Sequence, residues 1–381
     1  RQQDLYQVIG TEIDDCYMAE LKKLVIHPEI IREQGRTMKI VYTPLHGTGN
    51  LPVRRILREL GFEKVYVVPE QELPDGDFPT VSYPNPEDKR AFALALELAK
   101  KVEADVVLAT DPDADRLGIY ARNLDTGEYE PFTGNMSGMI ILEYLLSQKK
   151  REGKLPENGA VVTTIVSGKM SKEIAGYYGV DRIETLTGFK YIGEQIRLFE
   201  QNLEHEFLFG YEESYGCLVG THARDKDAVA AVMALCEAAA YYRSKGLTLC
   251  QEMQQLFDKY GYFQEGLSTV TRKGIEGARE INDLMERIRF NPPAKIGEYQ
   301  VIRFRDYKKG TILNYETGKI VPTGLPASNV LYFDLEKDAW CCVRPSGTEP
   351  KVKFYMGVRG ISQRDAQEKL KRLTEAVDLL I

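Results

Sequence analysis

Residues 106–120 read VVLATDPDADRLGIY, an apolar run that enters three aspartates on alternate positions, Asp111, Asp113 and Asp115, with Arg116 directly after them. On an irregular loop, alternate side chains can converge on one point. Three carboxylates brought that close repel one another unless a cation sits between them. An all-oxygen donor set suits a hard divalent ion such as Mg2+, which keeps coordination positions open for a substrate phosphate. The spacing is not that of a calcium EF-hand, because Arg116 stands where the sixth loop position needs glycine and no glutamate occupies the twelfth. A solvated acidic turn is the plain alternative; the hydrophobic strand leading straight into the loop favours the metal.

Three more stretches carry chemistry. In RPSGTEPK (344–351), Arg344 offers a bidentate fork, Ser346 and Thr348 offer hydroxyls, and Gly347 permits a concave turn with its N–H groups exposed. That is an anion nest, or a hairpin loop of common turn residues. In GYEESYG (210–216), Glu212 and Ser214 can hydrogen-bond a polyol, or lie on an exposed turn. Ser214 lacks the flanking glycines of a nucleophile elbow. In RDKDAV (224–229), Lys226 between two aspartates is either an acid/base group or part of a helix cap with charge pairs. The four histidines, His27, His46, His205 and His222, show no ligand spacing and receive no role.

These residues need elements to hold them. From residue 38 onward the pattern is strand, loop, helix, repeated: KIVYTP, then LPVRRILREL, then KVYVV, then KRAFALALELAKKV, then DVVLAT. Such alternation predicts a parallel sheet with crossover helices. After a connecting helix near 135–150 the rhythm restarts with AVVTTIV, RIETL and EFLFGY, each followed by a helical run. Beyond about residue 262 strand-like runs crowd together, and a helix closes the chain. The expected fold class is α/β: two doubly wound domains with mainly parallel sheets, 1–132 and 133–261, and a C-terminal α+β domain with an antiparallel sheet, 262–381. Ligands of open parallel sheets bind outside the carboxyl ends of the strands. TPLHGTG, TDPDADR, VSGKM, LTGFK and GYEESYG all follow strands there.

Bulk properties narrow the class. A net charge of −7 over 381 residues argues against a protein that coats nucleic acid, while leaving anionic small substrates open. The six cysteines form no CxxC pair and read as reduced thiols of a cytoplasmic protein. The longest apolar stretch, AVAAVMALCEAAAYY (228–242), is interrupted by Glu237 and too short to span a bilayer; it predicts a helix buried on most sides. No membrane segment and no signal peptide are read.

TPLHGTG, PNPE, DPDADR, TLTGFK, GYEESYG and RPSGTEPK occur in this order, and together they resemble the α-D-phosphohexomutase family across essentially all 381 residues. Family members have four domains, and this chain is similar to domains two, three and four. The T-x-S-H-N-P loop that carries the phosphoserine of domain one is not found, so residues 1–381 are expected to be a fragment that starts just after it. The resemblance implies Asp111, Asp113 and Asp115 as Mg2+ ligands and Arg116 as the neighbour of the transferring phosphate. It implies Glu212 and Ser214 on the sugar hydroxyls, with Thr187 and Gly188 on the sugar's other side. Arg344, Ser346, Gly347 and Thr348 would hold the phosphate that is not reacting, and Lys226 would be the general acid or base. The implied reaction interconverts glucose 1-phosphate and glucose 6-phosphate through an enzyme phosphoserine and glucose 1,6-bisphosphate. The EESYG loop resembles the glucose type, with mannose and pentose phosphates as alternatives. Two rivals remain: a phosphatase using Asp111 as nucleophile, and a non-catalytic fragment that binds Mg2+ and sugar phosphate.

Overall fold

The computed structural model describes residues 7–272, 274–346 and 350–380. The chain divides into two compact units, Arg1–Ser167 with Ser171–Gln255, and Gly168–Met170 with Leu256–Ile381.

In chain order the elements up to residue 260 are α1 (Gly10–Lys22), α2 (Pro28–Gln34), β1 (Lys39–Thr43), α3 (Asn50–Leu60), β2 (Lys64–Val67), α4 (Ala93–Val102), β3 (Val106–Thr110), β4 (Leu117–Arg122), β5 (Tyr129–Phe132), α5 (Gly134–Arg151), β6 (Gly159–Thr164), α6 (Met170–Tyr178), β7 (Asp181–Thr185), α7 (Phe189–Asn202), β8 (Glu206–Tyr211), β9 (Cys217–Val219), α8 (Ala228–Ser244) and α9 (Leu249–Tyr260). The first sheet runs β2-β1-β3-β4-β5; β1 pairs in parallel with β2 and β3, in register Val41 with Tyr66 and with Val107. The second runs β7-β6-β8-β9, its first three strands parallel. These are the expected parallel cores, and each gains an antiparallel addition: the meander β3-β4-β5 in one, β9 in the other. DPDADR and GYEESYG therefore close hairpins instead of leading into crossover helices.

Val41, Val107, Ala109, Phe92, Ala95 and Ala99 pack the first sheet against α4, and Val162, Ile192, Ile196 and Phe207 pack the second against α7. Each large side chain so buried contributes roughly 1.5–3 kcal/mol. Helix α8 is buried at every position except Tyr241, Arg243 and Ser244, and it touches β4 of one sheet and β9 of the other. Its one charged interior residue, Glu237, accepts the backbone N–H groups of Ile26 and His27 at 2.7 and 2.6 Å. Among the described residues, no helix is long and apolar enough to cross a membrane.

The second unit holds β10 (Tyr262–Thr271), α10 (Gly274–Phe290), β11 (Lys295–Ile296), β12 (Tyr299–Asp306), β13 (Thr311–Asn314), β14 (Ile320–Pro322), β15 (Leu331–Leu335), β16 (Trp340–Pro345), β17 (Lys351–Gly360) and α11 (Gln363–Asp378). Its antiparallel sheet runs β10-β17-β16-β15-β12-β13-β14. Met285 and Ile288 of α10 and Leu373 and Val377 of α11 cover Phe333, Cys341, Phe354 and Met356.

Candidate active site

Asp111 directly follows β3 and is buried; its Oδ1 accepts the N–H groups of Asp115 at 3.0 Å and Arg116 at 2.9 Å. Those two bonds curl the loop back on itself, and Ala114 takes a left-handed φ of 58° at the bend. A small unbranched side chain accepts that conformation at lower cost than a bulky or β-branched one. One carboxylate oxygen from each of Asp111, Asp113 and Asp115 then lies within 4.8 Å of the others. Burial pushes the Asp111 carboxyl up to about 7 against the pull of the Arg116 amide, and the charges of Asp115 and Asp113 add to it. Asp115 Oδ1 is buried with no hydrogen-bond donor. Concentrated negative charge, oxygen-only donors and an unsatisfied buried oxygen fit a hard divalent cation.

A neighbouring loop buttresses this one. TPLHGTG follows β1, with Leu45 and His46 both left-handed at φ 47° and 61°. Thr48 donates its N–H (2.8 Å) and its hydroxyl (3.0 Å) to the Pro112 carbonyl. A Cβ on Gly47 would lie 2.3 Å from Pro112 Cα, so glycine is what lets the loops touch. His46 is buried, its ring bonded to Thr80 Oγ1 at 2.8 Å and the Leu73 carbonyl at 3.2 Å. It shapes the loop and is not turned to a ligand.

Arg116 donates from Nη1 to Glu87 Oε1 at 2.9 Å, while its Nε stays 3.6 Å from Asp111 and 3.5 Å from Asp115. Glu87 belongs to the PNPE stretch, which Gly118 of β4 admits: a Cβ there would meet Pro86 Cβ at 2.6 Å. Lys226 reaches the triad from the start of α8, its Nζ 2.8 Å from Asp115 Oδ2 and 3.1 Å from Asp225 Oδ1. Burial pulls its pKa down, but Asp115 and Asp225 outweigh burial and hold it above the usual lysine value. Lys226 is therefore an ammonium as it stands. Its stem passes directly over Gly216, where a Cβ would lie 2.1 Å from Lys226 Cδ.

The DPDADR loop is zipped by backbone to the GYEESYG loop and to the start of α8. Leu117 N–H donates to the Tyr215 carbonyl at 2.9 Å, Arg116 bridges Gly216, and Ala228 N–H donates to the Ala114 carbonyl at 3.0 Å. Glu212, buried, accepts the Gly188 N–H at 2.8 Å. Burial raises its pKa, opposed by that amide and by the charges of Lys226 and Arg116. Gly188 has φ 121°, a backbone that L side chains rarely adopt, so the position calls for glycine. Beside it, Thr187 Oγ1 is buried without a hydrogen-bond partner among the described residues. Ser214 is half-buried on the same turn as Glu212.

Asp111, Asp113, Asp115, Arg116, Lys226, Thr187, Gly188, Glu212 and Ser214 all belong to the first unit, and the contacts above link their loops. Arg344 and Ser346 belong to the second, at the C-terminal end of β16, where the Ser346 N–H donates to the Lys351 carbonyl at 2.7 Å. Gly347 and Thr348 lie outside the described residues. Sequence reasoning missed Glu87, Gly216 and Asp227 as parts of the site. PNPE was visible as a motif, but a partner 29 positions away leaves no local signal.

Residues 15–126 match the family model of phosphoglucomutase/phosphomannomutase α/β/α domain II, and residues 133–260 that of domain III. The phosphoglucomutase of Staphylococcus epidermidis is 36% identical over 359 residues, covering 94% of this chain and 63% of its own length. That of Staphylococcus aureus is 35% identical over 336 residues, 88% of this chain and 59% of its own. The chain thus spans less than two thirds of these relatives. Among solved structures, parafusin, a phosphoglucomutase of Paramecium in its open form, matches with a TM-score of 0.65 at 17% identity, covering 96% of this chain and 62% of its own. A phosphoglucomutase/phosphomannomutase family protein from Burkholderia thailandensis gives 0.64 at 14% identity, with 97% and 64% covered. At such identities these structures show the fold. With both family domains matched and the curated relatives agreeing, the chain belongs to the phosphoglucomutase/phosphomannomutase family.

Proposed function

We propose that residues 1–381 form the metal-, sugar- and phosphate-binding part of a phosphoglucomutase that interconverts glucose 1-phosphate and glucose 6-phosphate through a phosphoserine and a bisphosphate intermediate. The observation that carries this reading is the convergence on one triad: Lys226 Nζ lies 2.8 Å from Asp115, with the Arg116 guanidinium beside both Asp111 and Asp115. An acid/base group and a phosphate-charge neutraliser meet where three carboxylates gather. Asp111, Asp113 and Asp115 would hold Mg2+, which supplies charge neutralisation at the transferring phosphoryl group. Arg116 screens that group from the side, and positioning does much of the remaining work. Lys226, charged, gives its proton to the departing sugar oxygen and takes one from the attacking hydroxyl in reverse. Glu212, Ser214, Thr187 and Gly188 orient the sugar hydroxyls. Arg344 and Ser346, with Gly347 and Thr348, grip the distal phosphate by its charge, whichever carbon bears it. Segments 1–132, 133–261 and 262–381 would divide these tasks as three domains.

The nucleophilic serine would lie on a segment outside these residues, consistent with the relatives' greater length. A coupled assay for glucose 6-phosphate, with glucose 1-phosphate, glucose 1,6-bisphosphate and Mg2+, tests the reading. Residues 1–381 alone should give no turnover, and the polypeptide that also carries the phosphoserine segment should turn over in a Mg2+-dependent way. Robust turnover by residues 1–381 refutes the missing nucleophile. Failure of the longer polypeptide on glucose 1-phosphate, with turnover of mannose or pentose phosphates, moves the substrate. Asp113→Ala should weaken Mg2+ binding with the fold intact, and an unchanged affinity would strike that residue from the ligand set.

A further inference from the structure

The loop that carries Lys226 ends in Asp227, the cap of α8. Asp227 Oδ1 accepts the N–H groups of Val229 at 2.9 Å and Ala230 at 3.0 Å, which is all that capping requires. Two side chains from elsewhere converge on the same carboxylate. The Tyr17 hydroxyl, on α1 and 210 positions distant in sequence, lies 2.8 Å from each oxygen. His222 Nε2 lies 2.7 Å from Oδ2 and must carry its hydrogen there to donate. The Asp227 N–H is fixed as well, donating to the Cys217 carbonyl at 3.0 Å. The His222 and Asp227 side chains are only 10% and 9% exposed. His222 Nδ1 is buried without a hydrogen-bond partner, so the ring is aligned from the Asp227 side.

A serine would cap the helix as well. A carboxylate with a phenol and an imidazole pressed onto it does more: it ties residues 222–227 to α1 and removes the freedom of the backbone that bears Lys226. From that fixed base the Lys226 stem crosses Gly216 and ends at Asp115. We propose that Tyr17 and His222 are positioning residues, which clamp Asp227 and so hold the Lys226 ammonium in place at Asp115. Helix α1 is then part of the catalytic face. This inference rests on the reading of Lys226 as the proton-transfer group.

The test uses Tyr17→Phe and His222→Asn in the polypeptide that includes the phosphoserine segment, with glucose 1-phosphate as substrate. Each variant should lower kcat about tenfold through a misplaced proton donor, with KM within about twofold. In a Lys226→Met background neither should lower kcat further, because the group they position is gone. A second readout needs no activity: in residues 1–381, the rate at which an amine-acylating reagent modifies Lys226, followed by mass spectrometry, should rise severalfold in both variants. Wild-type kcat together with an unchanged modification rate overturns the proposal, as do losses that add in full on the Lys226→Met background. If Lys226→Met itself leaves kcat unchanged, the proton-transfer reading fails instead, and the modification rate still decides whether Tyr17 and His222 hold the lysine.

Discussion

A methyl group at position 216 should disarm the site and leave the fold standing. An alanine Cβ there would lie 2.1 Å from Lys226 Cδ, 2.7 Å from Cγ and 3.3 Å from Cε. Carbon atoms need about 3.5–4.0 Å, so the lysine stem must retreat by roughly 1.5 Å at Cδ. The atoms in the way belong to a flexible side chain, and the Gly216 backbone is outside the left-handed region, so alanine meets no strain of its own. Two small stability effects then oppose each other. Restricting the unfolded chain adds about 0.4–1 kcal/mol. Losing the Lys226–Asp115 pair, whose side chains are 13% and 26% exposed, removes about 1 kcal/mol. The melting temperature should move by no more than a few degrees. Catalysis has no such compensation: displacing a reacting group by about 1 Å costs on the order of 100-fold, equivalent to about 2.7 kcal/mol of barrier. Turnover of glucose 1-phosphate by the polypeptide with its phosphoserine segment, measured beside thermal melting, reads both. A kcat within about threefold of the parent, with melting unchanged, refutes the argument that the path of Lys226 matters. A fall in melting temperature beyond about 10 °C would show that backbone yields in place of the lysine.

Asp111 titrates near 7 when no cation is bound, against 3.8 for the free side chain. Its contribution to stability is thus fully present below 3.8 and lost as pH rises through about 7. Since metal ligands bind ionised, the Mg2+ affinity of residues 1–381 should fall about tenfold per pH unit below 7. Calorimetry in two buffers should find about one proton released per ion near pH 6, and a pH-independent affinity would count against Asp111 as that proton's holder. Glu87→Gln removes the charge that draws Arg116 aside, at a partly exposed pair that contributes under about 1 kcal/mol. The freed guanidinium should swing toward Asp111 and Asp115 and weaken Mg2+ binding several-fold at constant melting temperature; unchanged affinity would show that Glu87 does not restrain it. Glu237→Ala strands the N–H groups of Ile26 and His27 inside the protein. At roughly 1–3 kcal/mol for each unsatisfied group, denaturant unfolding should lose about 2–6 kcal/mol, and a loss below about 1 kcal/mol would mean that water or another acceptor replaces the carboxylate.

Much of this molecule can be read along the chain because its first half is local in construction. A five-residue apolar strand, a short polar loop and an amphipathic helix each carry their own signal, and DPDADR stands out against that regularity. LGIYAR escaped as a strand because it follows the acidic loop at once, with no turn residues between loop and strand to separate them. CLV, at three residues, is too short to carry a period. Helix α1 buries just Met18 and Leu21, too little to show as a stripe, although it bears Tyr17. Glu237 looked like an interruption in an apolar helix; its value as an acceptor depends on the N–H groups of Ile26 and His27, more than 200 positions away. Glu87 with Arg116, Gly216 with Lys226 and Tyr17 with Asp227 are likewise tertiary facts, made when separate loops close on one another.

The hairpins explain why the acidic loop is suited to a cation at all. A crossover loop ends at a helix N-terminus, where free N–H groups and the helix dipole attract anions. Three carboxylates placed there would be satisfied by the helix itself and would have little need of metal. The neighbouring loops follow that pattern. The one before α7 gives the Gly188 N–H to Glu212, and in the one before α8 Asp227 receives two N–H groups from the first turn of that helix. DPDADR instead turns into β4, an antiparallel strand without a helix dipole at its start. Asp111 receives the two amides of its own turn, Asp115 Oδ1 receives none, and Lys226 arrives from the side. Replacing a crossover by a hairpin leaves the carboxylates without a helix dipole; Arg116 and Lys226 offset part of their charge, and a cation can supply the rest.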